Sequence, residues 1–288
     1  MYKIGLSTNG KKITEELFCR YERAGIEAME LSLDPQLYDY HTIDYKKLKE
    51  AAEAHKVELW SLHLPFRPIE KVDISAPDTK ERRNAVSYHK EIIKKAADTG
   101  IKTFVIHCNS GEPVEEGKIR EARINAAKES LDELAELAGR EGAQIAVENL
   151  PRTCIGRSSG ELLDVVGVNS KLRVCYDTNH LMSESAADFV SAVGDKIVTT
   201  HISDYDYTNE RHWLPGEGKV NWQEILDLLK KVGYDGVWMY EVRFACPRTI
   251  IRDRDLNCED FVRNAREIFE NKPITVFSNP KPNLGLWG

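Results

Sequence analysis

Residues 172–180 read LRVCYDTNH, in which a short apolar run leads into an acid, a turn and a histidine. The run predicts a buried strand that ends at Asp177, with His180 one turn further along. The same pattern recurs along the chain, since other apolar runs of strand length also end in Asp, Glu or His. We therefore expect a fold that gathers several polar strand ends in one place.

Strand-like and helix-like segments alternate through the whole sequence. The apolar runs are continuous, as is typical of strands that are buried on both faces of a parallel sheet, and helical patterns separate them. The expected strands are 3–8, 28–33, 57–65, 103–109, 144–149, 172–178, 197–204 and 236–242. The expected helices are 13–25, 44–55, 78–99, 115–141, 159–167, 185–194, 221–232 and 257–271.

Eight β-then-α units within 288 residues predict an α/β fold, the (β/α)₈ TIM barrel. We assign the barrel, as a single domain, to 1–271 and a C-terminal extension to 272–288. A doubly wound open sheet is the alternative, but no G-x-G-x-x-G follows the first strand, which weakens a dinucleotide-binding version. The extension is expected to lie over the barrel exterior, or to dock on a neighbouring subunit through Leu284, Leu286 and Trp287.

Composition narrows the classes of function. The chain has a net charge of −7 and a pI of about 5.7, and 41% of its residues are hydrophobic, which permits a sizeable core. No apolar run is long enough to predict a membrane span, and the sequence begins with a strand-like segment rather than a signal peptide. Its six cysteines occur singly, so we expect reduced thiols and a cytoplasmic protein. The acidic balance argues against a nucleic-acid partner.

Histidines and acids occupy the predicted ends of strands three to eight, where TIM barrel enzymes place their chemistry. In chain order they are His63, His107, Glu148, Asp177, His201 and Glu241. Ionisable groups inside apolar runs are costly to bury unless they are paired or metal-bound. Taken singly, each acid could pair with an Arg or Lys, and each histidine could bond the backbone. Two Glu, one Asp and one His at four successive strand ends instead suit a divalent ion such as Mn²⁺, Mg²⁺, Co²⁺ or Zn²⁺.

The other five histidines lie outside the predicted strands. His180 and His212 follow strand ends, and His212 belongs to the loop ERHWLPGEG at 210–218. A plain turn explains the Pro-Gly-Glu-Gly part of this loop, with Asn221 and Glu224 as a capping box for the next helix. It does not explain the acid-Arg-His-Trp part. Three histidines are expected at the surface: His41, His55 and His89.

Seven short motifs, taken in order, resemble the xylose isomerase-like TIM barrel superfamily and, within it, the sugar phosphate isomerase/epimerase family. They are LHLPF (62–66), VIHCNSGE (105–112), VENL (147–150), CYDTNH (175–180), HISDYD (201–206), ERHWLPGEGKVNW (210–222) and YEV (240–242). The superfamily also contains metal-dependent apurinic endonucleases of the endonuclease IV type. The resemblance implies one divalent ion held by four residues: Glu148, Asp177, His201 and Glu241. It also implies that Glu148 and Glu241 are the catalytic acid and base.

The implied activity is that of a metal-dependent isomerase or epimerase of a sugar or sugar derivative. One glutamate removes the proton next to a carbonyl, and the other returns a proton to an enediolate that the ion stabilises. The same abstraction, with a leaving group on the β carbon, gives a lyase or dehydratase. The expected substrate-binding residues are His63, His107, His180, Arg211 and His212, with Trp60, Phe66 and Trp213 as aromatic walls. The loop Gly156–Gly160 could bind a phosphate, and a homodimer or homotetramer is the family-based expectation.

Nine residues match the three-zinc pattern of the endonucleases, which act as phosphodiesterases on abasic DNA. They are His63, His107, Glu148, Asp177, His180, His201, Glu210, His212 and Glu241. Glu210 stands where the endonucleases have Asp, and its extra methylene moves the carboxylate enough to disturb a tight multinuclear site. The sugar-directed function is therefore preferred, and a non-catalytic barrel is the third alternative. The sugar and the native metal stay open.

Overall fold

A computed structural model describes residues 1–109 and 111–281. Strands β1 to β8 are Lys3–Ser7, Ala28–Ser32, Glu58–His63, Thr103–His107, Gln144–Glu148, Arg173–Asp177, Ile197–His201 and Val237–Tyr240. Helices α1 to α9 are Glu15–Ala24, Tyr45–Ala54, Ile69–Val72, Thr79–Ala97, Lys118–Arg140, Ser159–Val166, Ala186–Val193, Trp222–Lys231 and Cys258–Phe269. All eight expected units are present, and α3 is an additional turn after β3. Within the described ranges, no helix is long and apolar enough to cross a membrane.

The eight strands are parallel and pair in the order β7-β6-β5-β4-β3-β2-β1-β8. Strand β1 pairs with both β2 and β8, and a bridge from Ile202 to Tyr240 joins the ends of β7 and β8. The Ile202 N–H donates to Met239 O over 2.8 Å, and the Glu241 N–H donates to Ile202 O over 3.1 Å. The sheet is therefore a nearly closed TIM barrel, as expected, and the open-sheet alternative is wrong.

Side-chain caps fix the points at which most helices begin. Thr14, Asp78 and Ser158 each accept a hydrogen bond from a backbone N–H in the first turn of their helix. Asn221 accepts from the Glu224 N–H, which is one half of the expected capping box. Each cap contributes about 1 kcal/mol. Because helix starts adjoin the loops that follow the strands, the caps also fix the loops around the strand ends.

Buried side chains fill the barrel interior at the end opposite the polar strand ends. Ala28, Val237 and Met239 pack together there, with Trp60 against them. Gly5 is needed at this level because a Cβ would lie 2.5 Å from Val237 Cγ1. A second small group, Val105, Ala146 and Cys175, packs nearby. The polar strand ends thus stand on a packed apolar floor.

Part of the C-terminal extension forms a short ribbon. Strand β10, Ser278–Pro280, pairs antiparallel with β9, Ile250–Arg252. The Lys281 N–H continues the ribbon by donating to Thr249 O over 2.9 Å. Neither strand was expected from the local sequence. The proposed docking residues Leu284, Leu286 and Trp287 lie outside the described residues.

His89 is buried rather than at the surface, which corrects the prediction from the sequence. It is 1% exposed, and its Nε2–H donates to Val72 O over 3.1 Å. It shares the inner face of α4 with Ala85 and Ile92, at helical spacing. Burial lowers the pKa of His89 to about 4. His89 therefore belongs to the helix–barrel interface and is neutral at pH 7.

Candidate active site

The ends of β5 to β8 bring four polar side chains together. Glu148, Asp177 and His201 end β5, β6 and β7, and Glu241 follows β8 directly. One potential ligand atom of each lies within 4.8 Å of the others. The side chain of Glu241 is 15% exposed, whereas the other three are fully covered. We call these four residues the strand-end cluster.

Three buried atoms of the strand-end cluster make no hydrogen bond to the described part of the chain: Asp177 Oδ2, His201 Nδ1 and Glu241 Oε2. A buried polar group without a partner costs about 1–3 kcal/mol. Three such atoms beside one another indicate that a further group binds between them. Three carboxylates and one imidazole are a suitable donor set for Mn²⁺, Mg²⁺, Co²⁺ or Zn²⁺. These residues therefore fit a divalent cation.

Glu148 links the strand-end cluster to the other histidines. Its Oε2 lies 3.2 Å from His63 Nε2 and 3.3 Å from His107 Nε2. Its Oε1 lies 3.3 Å from the Nδ1 atoms of both His180 and His201. His63, His107 and Glu148 are themselves close enough to hold an ion. The structure therefore brings the predicted residues of β3 and β4 into the same site.

Glu30 is a member of the site that the sequence analysis missed. It is fully buried in β2, its Oε1 accepts a hydrogen bond from His201 Nε2 over 3.0 Å, and its Oε2 accepts one from Ser61 over 2.8 Å. This contact turns the other ring nitrogen of His201 toward Glu148 and Glu241. A carboxylate behind a histidine is a common support for a metal ligand. The signal was present in the sequence, because Glu30 interrupts the apolar run AMELS.

The two glutamates of the strand-end cluster have opposite protonation tendencies. Burial opposes ionisation of Glu148, but the imidazoles of His201 and His107 outweigh it and hold its pKa well below the usual range. Burial raises the pKa of Glu241 to about 7, and the nearby Glu148 carboxylate adds to the shift. Carboxyl groups with separated pKa values are typical of an acid–base pair.

The remaining charges are coupled to the same carboxylates. Burial disfavours the charged form of His180, but Asp177, Glu148 and Glu210 together raise its pKa to about 10. Burial raises the pKa of Asp177 to about 6. His107 differs, because burial lowers its pKa despite the adjacent Glu148. The site therefore contains a positively charged imidazole, His180, and a neutral imidazole, His107.

The strand-end cluster opens into a cavity of about 220 Å³, which we call the main cavity. Phe66 forms an apolar part of its wall, with its ring stacked 4.9 Å from that of His107. Arg152 and His212 line it with φ values of 56° and 52°, which are rare outside glycine. Such backbone strain occurs often at functional sites. The lining residues are His63, Phe66, Arg67, His107, Gly111, Glu112, Pro113, Glu148, Leu150, Pro151, Arg152, His180, Glu210, His212 and Glu241.

Buried side chains hold the loop 210–218 in place. The Asn179 Oδ1 accepts hydrogen bonds from the backbone N–H groups of Arg211 and His212, over 2.8 and 3.3 Å. Asp204 accepts from the Gly216 N–H and from Trp222 Nε1, over 2.8 and 2.9 Å. These contacts fix His212 at the mouth of the main cavity, where its Nδ1 lies 3.7 Å from Glu241 Oε2.

Three predicted substrate-binding residues do not line the main cavity. Trp60 lies near the other end of the barrel, where its Nε1 donates to Thr199, so its predicted role is wrong. Trp213 is fully buried and donates to Thr249 over 2.8 Å, so it cannot form an exposed wall. The Arg211 side chain turns to Asp206, with Nε 3.0 Å from Oδ2, and lines a neighbouring cavity.

Two backbone donors of the loop Gly156–Gly160 are bonded to carboxylates of the chain. The Gly156 N–H donates to Glu161 Oε1 over 2.7 Å, and the Ser159 N–H donates to Glu184. Carboxylates of the chain already occupy these backbone groups. A phosphate would have to displace these carboxylates, and the phosphate site in this loop stays a prediction.

Comparison with known proteins gives a consistent set of relatives. A family model described as xylose isomerase-like TIM barrel matches residues 19–258. D-psicose 3-epimerase of Ruminiclostridium cellulolyticum is 23% identical over 222 residues, which are 74% of this chain and 73% of that protein. Inosose isomerase of Bacillus velezensis is 25% identical over 248 residues, 78% of this chain and 87% of that protein. A crystal structure of a D-tagatose 3-epimerase-like protein has the same fold, with a TM-score of 0.78, 22% identity and coverage of 93% of this chain and 97% of its own.

Proposed function

The chain belongs to the xylose isomerase-like TIM barrel family, and on that premise we propose that it is a metal-dependent epimerase or isomerase of a sugar or sugar derivative. The observation that carries the proposal is the strand-end cluster, in which three buried atoms make no hydrogen bond to residues 1–109 and 111–281. The relatives named as a D-psicose epimerase and an inosose isomerase support the reaction class. The four cluster residues, Glu148, Asp177, His201 and Glu241, would hold one divalent ion.

In this proposal, Glu148 and Glu241 transfer the protons. Glu148, which stays ionised, removes the proton from the carbon next to the carbonyl. Glu241, whose pKa burial raises above the usual range, returns a proton to the opposite face or to the neighbouring carbon. A bound divalent ion supplies Lewis acidity that stabilises the negative charge on the substrate oxygens. Positioned proton transfer of this kind accelerates reactions by about 10²- to 10⁴-fold.

The rest of the main cavity binds and orients the substrate in this proposal. His63, His107, His180 and His212 form hydrogen bonds with sugar hydroxyls, and Phe66 covers an apolar face of the sugar. A cavity of about 220 Å³ suits a small sugar rather than a polymer. With a substrate that has a leaving group on the β carbon, the same proton abstraction would lead to elimination, which is a lyase reaction. Identification of the product distinguishes elimination from epimerisation or isomerisation.

The proposal is tested by metal analysis and by solvent deuterium exchange into a panel of ketoses. We expect one divalent ion per chain and deuterium at the carbon next to the carbonyl. Removal of the ion with a chelator should abolish exchange, and Mn²⁺ or Co²⁺ should restore it. Exchange that proceeds unchanged in the metal-free protein would reject the metal dependence. Absence of exchange with every ketose would reject the reaction class for that panel.

A three-metal phosphodiesterase is the second candidate, because all nine predicted endonuclease residues lie near one another. Glu148 contacts His63, His107, His180 and His201, and Glu210 Oε2 lies 3.5 Å from His180 Nε2. Glu112 and Glu210 pair with the two arginines of the main cavity, Arg67 at 2.7 Å and Arg152 at 3.2 Å, so these arginines are already engaged by carboxylates rather than held ready for DNA phosphates. Three zinc ions per chain together with nicking of an abasic duplex would replace the first candidate by this one.

A further inference from the structure

A second cavity, of about 180 Å³, lies beside the main cavity, and we call it the side cavity. Both cavities are lined by Glu210 and His212. The His212 side chain, 32% exposed, therefore stands between them. A ligand held against the strand-end cluster could extend one substituent past His212 into the side cavity. The residues that line the side cavity therefore indicate the chemical class of that substituent.

Two arginines line the side cavity. The Arg211 side chain is fully covered and is held by Asp206. Arg243 also lines the side cavity and is exposed, and it makes no hydrogen bond or ion pair with any residue in 1–109 or 111–281. The guanidinium of Arg243 is therefore available to a ligand. Planar guanidinium groups bind phosphate and carboxylate oxygens in pairs, which gives both strength and orientation.

A third cation stands close to Arg243. The Lys11 Nζ lies 3.7 Å from the centroid of the Phe244 ring and has no hydrogen-bond partner among the described residues. Burial lowers the pKa of Lys11 to about 8, and the positive charges of Arg20 and Arg243 contribute to this shift. Within residues 1–109 and 111–281, neither Arg243 nor Lys11 has a carboxylate partner.

The side cavity also offers a neutral donor. Thr249 is 4% exposed, and its Oγ1 accepts a hydrogen bond from Trp213 Nε1 over 2.8 Å. Since the hydroxyl is the acceptor in that bond, its own proton remains to be donated. The acid in the lining, Glu210, is already compensated by Arg152 at 3.2 Å and by His180 at 3.5 Å. The groups directed at a ligand are therefore mostly donors and cations.

We propose that the side cavity binds an anionic oxygen group, a phosphate or a carboxylate, on a sugar whose carbonyl lies at the strand-end cluster. The proposal rests on the proposed function and names its substrate class as a sugar phosphate or a sugar acid. Arg243 binds the anion, Thr249 donates to it, and His212 lies between the two cavities.

The test compares three ketoses that differ only at one end: D-fructose, D-fructose 6-phosphate and D-fructuronate. Deuterium exchange by the metal-loaded enzyme is measured for the parent and for Arg243→Gln. Arg248→Gln is the control, because Arg248 is an exposed arginine of the same segment that does not line the side cavity. Loss of a charge-assisted bond should raise KM for the phosphate, the carboxylate or both by about tenfold. KM for D-fructose should not change in Arg243→Gln, and Arg248→Gln should behave as the parent.

Binding of inorganic sulfate, measured by calorimetry, separates failure of this proposal from failure of the proposed function. One possible result is that no ketose exchanges, but sulfate binds the parent and Arg248→Gln about tenfold more tightly than Arg243→Gln. That result would support the anion site in the side cavity and reject the proposed function. If Arg243→Gln changes neither the affinity for sulfate nor KM for the two anionic ketoses, the side cavity proposal is overturned. The rate of exchange with D-fructose does not affect this conclusion. The three ketoses also decide between phosphate and carboxylate.

Discussion

At the scale of single residues, Glu30 controls the orientation of His201. Its carboxylate bonds His201 Nε2, so Nδ1 faces Glu148 and Glu241 at 3.3 and 3.5 Å. The carboxylate itself is held by Ser61. Burial opposes ionisation of Glu30, but the charge of His201 and its hydrogen bond lower the pKa of Glu30 below the usual value. Glu30 is therefore an anion that orients His201 with Nδ1 toward the strand-end cluster.

Replacing Glu30 by Gln should weaken metal binding about 10- to 100-fold, because the support behind a ligand histidine is lost. The amide keeps the shape of the side chain but not its charge. Competition between the protein and a metal-binding dye measures the affinity. Glu58→Gln, at an exposed glutamate of the neighbouring strand, is the control and should leave the affinity unchanged. Equal affinities for Glu30→Gln and the parent would show that Glu30 does not support the site.

The buried His89 should make the protein less stable in acid. Its pKa is about 4 in the folded chain and about 6.5 when unfolded. Since the unfolded state binds the proton more readily, the stability is complete above pH 6.5 and is lost as the pH falls toward 4. At pH 5 the loss is on the order of 2 kcal/mol. His89→Gln should remove this loss, and urea unfolding of both proteins at pH 7 and pH 5 measures it.

His55 provides a control of opposite sign. Hydrogen bonds to Glu22 and Glu15 raise its pKa, so it stabilises the folded state at low pH and loses this effect as the pH rises. His55→Gln should therefore make acid unfolding easier, whereas His89→Gln should make it harder. The same pH response in both variants would contradict the assignment of His89 as a buried neutral group.

The sequence predicted which residues share the site better than it predicted what surrounds them. Glu148, Asp177, His201 and Glu241 were recognisable because charged groups end apolar runs. Trp60 was misplaced because the pattern defines a strand but not the height of each residue in the barrel. Trp60 precedes His63 by three residues, and at about 3.3 Å per residue it lies roughly 10 Å lower. Trp213 was misplaced because only the fold shows that the loop 210–218 turns it inward.

At the scale of elements, the barrel strands and long helices followed from local signals. Apolar runs and side-chain caps such as Thr14 and Asn221 act within a few residues of each other, so the boundaries agree closely with the expected ones. Strands β9 and β10 did not follow, because each has three residues and exists only through pairing with a distant segment. Their formation depends on the folded barrel rather than on the local sequence.

Gly218→Ala should distort the loop that carries His212. A Cβ at this position would lie 2.2 Å from Asp204 Oδ1 and 2.4 Å from Tyr205 O, and both are buried. Crowding of this kind costs about 1–3 kcal/mol or more. Thermal unfolding measures the cost, and activity should fall with it because His212 shifts. Gly160→Ala is the matched control, since a Cβ there meets no described atom within 4 Å. Equal stability of the two variants would reject the proposed packing role of Gly218.

At the scale of the whole molecule, the residues that pack the barrel core and the polar residues of the site lie at opposite ends of the barrel. The apolar floor around Gly5, Val237 and Met239 fills one end. The carboxylates and histidines of the site gather at the other end, where the loops after the strands surround two adjoining cavities. Placing these acids together is unfavourable without a cation, so ion binding should stabilise the entire fold.

A saturating divalent ion should therefore raise the unfolding temperature. At 100 times the dissociation constant the gain is about 2.7 kcal/mol, or roughly 5–10 °C. Asp177→Asn removes a negative charge and should abolish the rise, while Glu58→Gln should keep it. Scanning calorimetry with and without Mn²⁺ measures both. An equal rise in Asp177→Asn would place the ion elsewhere.

Deuterium exchange by Glu148→Gln and Glu241→Gln tests the proposed proton transfer most directly. Both metal-loaded variants, the parent and Glu58→Gln are incubated in D₂O with the ketose panel, and proton NMR follows the carbon next to the carbonyl. Each active-site variant should interconvert epimers or isomers at least about 10²-fold more slowly than the parent, and Glu58→Gln should match the parent. Exchange at the parental rate by both Glu148→Gln and Glu241→Gln would contradict the assignment of these residues as acid and base.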